Sequence, residues 1–121
     1  MSYDPLSEVM DEPIELDETM VDKLHILRVI EKFADLPGEN TVEERARLSA
    51  VLNNLLDRLI VGIQARPTKL MVLTEFQHAL KLVEGEDTEG RDHFGAELEL
   101  IMDVLGIESS DGLLAAYLGG I

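Results

Sequence analysis

The chain has no cysteine, no tryptophan and an aromatic share of only 4%. Without cysteine there is no thiol nucleophile, no disulfide and no Cys-based zinc site. With so few rings the core must be built from Leu, Ile, Val, Met and Ala, a palette that suits helix packed on helix. No apolar run reaches the roughly 18 residues that a membrane-spanning helix needs, so no membrane partner is expected. The first twenty residues carry carboxylates where a secretory signal would need a basic start and an apolar stretch, and the expected compartment is the cytoplasm. Basic residues are scarce too, 10 Lys and Arg against 25 Asp and Glu, for a formal charge of -15. Binding a phosphate backbone requires a basic stripe that displaces counterions. Direct nucleic-acid binding is therefore not expected, whereas a basic or mixed-charge protein surface is a fitting partner.

What is present is enough for one domain: 121 residues, 45% of them apolar, with a mean hydropathy of +0.04. Such a chain buries a real core, and a homodimer interface could supply part of it. The charge is segregated. Residues 1–22 hold eight carboxylates and no Lys or Arg, residues 82–121 hold ten carboxylates and the single Arg91, and the stretch between is slightly basic. Residues 1–18, with Pro5, Pro13 and scattered Leu6, Val9, Met10, Ile14 and Leu16, form an acidic arm with a few apolar anchors and room for one helical turn near Leu6–Met10. Residues 19–121 form the helical domain.

The organising stretch is Thr41 to Glu84. Leu48, Leu52, Leu55 and Leu59 recur at helical spacing, as do Leu73, Phe76, Leu80 and Val83. Before it, a helix from Thr19 to about Asp35 carries a stripe of Met20, Leu24, Leu27, Ile30 and Ala34, and Leu36-Pro37-Gly38 ends it. Thr41 and Glu44 have the spacing of a capping box, with Glu43, Glu44, Arg45, Arg47, Asp57 and Arg58 on the wet face of the second helix. Arg66-Pro67 breaks that helix, and Pro67 suits the first turn of a third that runs to Glu84. A Gly85–Gly90 loop, a fourth helix capped near Asp92, a Gly106-Ile107 C-cap and a short helix over Leu113–Leu118 complete the chain. The expected fold is all-α, a four-helix bundle with a short fifth helix. Reading Leu59-Ile60-Val61 and Leu70–Leu73 as strands would forfeit the 3.6-residue period on both sides.

Four constellations bear on chemistry. Glu75 and His78 match the Glu-x-x-His pattern of di-metal helical bundles, and Asp22 with His25 offers a shorter version. Both pairs fall away from the apolar stripes, where solvent-facing pairs are the simpler account, but a metal-binding protein or enzyme using Glu75 and His78 is the alternative function. The acidic run Glu84, Glu86, Asp87, Glu89 and Asp92 lacks the glycine and aspartate register of a calcium loop. His93 beside Asp92 has no identifiable nucleophile to activate, and Ser109, Ser110 and Asp111 suit helix capping.

The favoured function is non-enzymatic, with no cofactor: a small acidic adaptor, regulator or inhibitor that meets a basic protein through Glu84, Glu86, Asp87, Glu89, Asp92, Glu97 and Asp103. If those carboxylates make one continuous face, imitation of a phosphate backbone is a special case. The basic set Arg45, Arg47, Arg58, Arg66 and Lys69 would balance local acids or receive the acidic arm of the same chain or of a second copy.

Overall fold

The computed structural model describes residues 3–34 and 41–119. Periodicity becomes packing most directly in α2 (Thr41–Ala65). Leu48, Leu52, Leu55, Leu56, Leu59 and Ile63 are all buried along it. Helices α1 (Glu18–Val29), α3 (Lys69–Leu82) and α4 (Thr88–Leu105) pack around this stripe, and α5 (Leu113–Leu118) lies across the end of the bundle on α3 and α4. Val72, Leu73, Phe76, Ala79 and Leu80 are the buried side of α3, and Phe94, Leu98, Ile101, Met102 and Leu105 that of α4. The architecture is the expected all-α bundle of four main helices and a short fifth. Among the described residues the only β pairing is an isolated bridge between Pro13 and Thr68, and both stretches considered as strands are helical. No helix among the described residues is long and apolar enough to cross a membrane.

Helix ends differ from the sequence expectation in four places. α1 is capped by Asp17, whose Oδ1 accepts from Met20 N at 2.8 Å, rather than by Thr19. It stops at Val29 instead of continuing to Asp35. The physical reason is Lys32, whose buried Nζ donates to the carbonyls of Arg28 and Ile30 at 2.9 and 3.0 Å and so satisfies the helix end. Phe33 then takes φ +61° and turns inward to stack on Phe94, with centroids 6.3 Å apart. Of the stripe assigned to this helix only Leu24 is fully buried, while Ile30 is 47% exposed and Ala34 is exposed. α3 starts after a Thr68 cap, which leaves Pro67 just outside it. α4 starts at Thr88 under Asp87 rather than near Asp92, so half of the expected loop is its first turn.

The Gly106-Ile107 C-cap is as expected, whereas α5 has Gly112 at its N-cap and no side-chain cap there, in place of Ser109, Ser110 or Asp111. Gly106 sits at φ +71° and the Ile107 N–H donates back to Met102 O at 2.9 Å, the left-handed cap that a glycine tolerates at little cost. Leu113, Leu114 and Leu118 of α5 are buried. The capping box falls on a Thr41 side chain outside the described set. Glu44, expected on the wet face, is buried at 7% exposure.

Candidate functional site

Two surfaces carry the chain's charged chemistry. The first lies on α4, which its Asp87 cap and buried Phe94, Leu98, Ile101 and Leu105 fix in rotation. Glu89, Asp92, Glu99 and Asp103 are all exposed, and at about 100° per residue they fall on one side. At about 1.5 Å rise per residue the row is roughly 21 Å long. His93 Nε2 lies 4.0 Å from Glu89 Oε2; among the described residues Asp92, Glu99 and Asp103 have no salt bridge. Below the row lies a depression of about 390 Å³ with Glu99, Asp103 and Glu108 on its rim and Met102, Ile107 and Leu114 among its lining residues.

The other acids named from the sequence lie apart from this row. Glu84 is exposed at the end of α3. Glu86 is held by Arg47 through two 2.9 Å bonds, which keep its carboxyl below the usual range. Asp87 caps α4, accepting from Gly90 N at 2.8 Å. Glu97 turns inward, where burial raises its pKa against the opposing pull of Lys32 and His93.

Sequence reasoning missed the carboxyl pair Glu44 and Asp87. A Cβ built on Gly90 would lie 2.5 Å from Glu44 Oε1 and 3.3 Å from Asp87 Oδ1, so a side chain here would displace the Glu44 carboxylate. Glu44 Oε1 is buried without a hydrogen-bond partner. Burial, then the neighbouring Asp87, raises the Glu44 pKa above its ordinary value of 4.5. A carboxyl that ionises later in the folded state favours folding below the ordinary value, and that advantage is lost as pH rises through the folded pKa. Glu44→Gln is expected to leave stability near pH 4 unchanged and to raise it above pH 7, because the neutral amide removes the buried charge beside Asp87. Urea unfolding of both proteins from pH 4 to 8 checks this, and parallel curves would count against it.

The second surface joins the arm to the body. Pro5–Glu8 form a 3-10 turn capped by Asp4, and Gln77 Nε2 donates to the same Asp4 carboxylate at 2.9 Å. Leu70 N at the start of α3 donates to Asp11 Oδ1 at 2.9 Å. Lys69 N donates to Glu12 O at 2.8 Å, and Ile14 N to Pro67 O at 2.7 Å. Lys69 itself is buried, its Nζ 2.7 Å from Asp111 Oδ2, and the Met10 N–H donates to that oxygen at 2.8 Å. Asp111 sits at φ +53°, and Lys69 first, then Met10 N, holds its carboxyl below the usual range. A cleft of about 530 Å³ opens beside this pair, walled by Glu12–Glu15 of the arm, Met20, and the 105–109 turn.

Glu75 of the Glu-x-x-His pattern accepts a two-pronged bond from Arg58 of α2, while His78, Asp22 and His25 are exposed. No group of three or more His, Asp or Glu among the described residues is placed to hold a metal ion. The basic residues pair across elements rather than locally: Arg28 with Asp57, Arg47 with Glu86, Arg58 with Glu75 and Lys69 with Asp111. Of the basic set offered to the arm, Lys69 takes part. Most of the remaining grip comes from backbone N–H groups.

Fold and surfaces define a small all-α domain with an acidic outer helix and an N-terminal arm docked on its body. The chain belongs to the family described as a domain of unknown function, DUF4844, whose model matches residues 15–121. No curated protein and no solved structure matches it.

Proposed function

We propose that this domain is a non-enzymatic protein-interaction module of the cytoplasm, an adaptor, regulator or inhibitor that meets a basic protein through the exposed row of α4. The observation that carries this is the depression at the row's end: Glu99, Asp103 and Glu108 around Met102, Ile107 and Leu114. A Lys or Arg side chain lays its methylene stem on apolar surface while its head seeks carboxylates, and this depression offers both. The exposed row extends the attraction outward and speeds encounter. Glu89, Asp92 and Asp103 of the sequence-derived set belong to this surface, joined by Glu99 and Glu108. A homodimer would use a different face, the exposed Ile26 and Val29 of α1 with Ile30 just beyond it. The metal-binding alternative has weaker support, since Arg58 engages Glu75 and His78 lies outside the core.

The test is a pull-down with the tagged protein, eluted in salt steps, against the Glu99→Lys, Asp103→Lys variant. A stoichiometric basic protein that leaves at moderate salt, and that the variant binds at least tenfold more weakly, is the expected result. Retention of the same partner by the variant, or release indifferent to salt, would remove the proposal.

A further inference from the structure

The arm is held the way a foreign peptide is held. Its grip on the body consists of main-chain bonds on either side of the Pro13 to Thr68 bridge, an aspartate on the first N–H groups of a helix, and Pro5 and Ile14 as buried anchors. Peptide recognition by strand addition uses the same elements, with backbone bonds for affinity and spaced pockets for selectivity. Most of the arm's other side chains, from Tyr3 and Asp4 to Glu12 and Pro13, are exposed. The family match begins at residue 15, so the matched domain includes the whole receiving surface, Pro67–Leu70, Gln77 and Asp111, and excludes the segment that fills it.

We infer that the groove along the start of α3 and the 107–111 turn is a docking site for an extended acidic segment of another protein, and that residues 3–14 occupy it in cis. The chemistry selects the occupant. Leu70 N at the amino end of α3 takes an aspartate. Two residues further on, a proline followed by an aliphatic residue matches Pro13-Ile14, with the flanking carbonyl and N–H bonded to Lys69 N and Pro67 O. A second aspartate meets Gln77 and the field of Lys81, as Asp4 does. On a molecule of charge -15, this groove is where polypeptide acids are nevertheless accepted. Tethering gives the arm a high effective concentration, so a competitor binds only when the arm lets go. Release also removes one wall of the cleft beside Lys69 and Asp111.

The probe is a fluorescent peptide of residues 3–16, titrated into the full-length protein and into full-length Asp4→Lys, Asp11→Lys, in which two exposed arm contacts are reversed. The expected result is binding to the variant at least tenfold tighter than to the wild type, weakened by salt. No binding to a variant that keeps its helical circular dichroism, or equal binding to both proteins, overturns the inference. If the variant does not fold, hydrogen exchange in the wild type decides. Met10 and Ile14 amides exchanging well before the α2 core amides support a detachable arm, and exchange only with global unfolding refutes it. A concentration-dependent dimer of the wild type that the variant cannot form would make a second copy the occupant and overturn the assignment to another protein.

Discussion

Phe94→Ala is expected to destabilise the domain by about 3–5 kcal/mol, the usual loss for emptying a buried aromatic site. Phe94 of α4 is fully buried, and its ring is the platform on which Phe33 stacks with an interplanar angle of 10°. Phe33 is held at φ +61°, a conformation that costs a non-glycine residue about 1–2 kcal/mol. The stack and the Lys32 cap sustain that turn together, so removing the ring loosens the end of α1 as well as leaving a cavity. Against a typical domain stability of about 5–15 kcal/mol, the loss is large enough to see directly in chemical unfolding. Phe94→Leu, which keeps most of the volume, should lose less than half as much. Equal losses for the two variants would mean that the ring stack, and not the buried volume, carries the effect, and would overturn the cavity account.

The second large effect is at Asp111. Its carboxylate oxygen receives both Lys69 Nζ and Met10 N, and Lys69 is buried at 6% exposure. Asp111→Ala removes the nearest counter-charge of the buried Lys69 ammonium and the acceptor of Met10 N, so a clear loss of stability is expected. The loss is tempered because Asp111 is itself partly open to water. Removing the ammonium as well, in Lys69→Met with Asp111→Ala, should recover most of the loss, since the penalty is the unpaired charge and not the missing bond. The φ of +53° adds a finer expectation: Asp111→Gly should be about 1 kcal/mol less damaging than Asp111→Ala. Calorimetry on the four proteins at neutral pH measures all of this. A double variant as unstable as Asp111→Ala would show that the pair matters for shape rather than charge.

These two sites also mark how far the sequence could be read. Leu48, Leu52, Leu55, Leu59, Leu73, Phe76, Leu80 and Val83 were legible as core because a helix repeats every 3.6 residues whatever surrounds it, and every one is buried. Gly106-Ile107 was legible as a cap because the signal is local. The carboxylate row on α4 was half legible. Periodicity aligns Glu89, Asp92, Glu99 and Asp103, but it cannot say that Glu97 is drawn inward beside Lys32 or that Glu86 is taken by Arg47.

By itself, then, the sequence determined the all-α class, the number of helices, the stripes of α2 and α3 and the acidic character of both ends. These follow from local periodicity, capping chemistry and net charge. Only the tertiary structure decided where α1 stops, because its end is satisfied by Lys32 and by a ring on α4. Only it decided that Glu44 meets Asp87 across Gly90 and that Lys69 meets Asp111 beneath the arm. Glu44 with Asp87, Lys69 with Asp111 and Phe33 with Phe94 each join residues far apart in the chain, and the packing of the helices on one another brings them within reach.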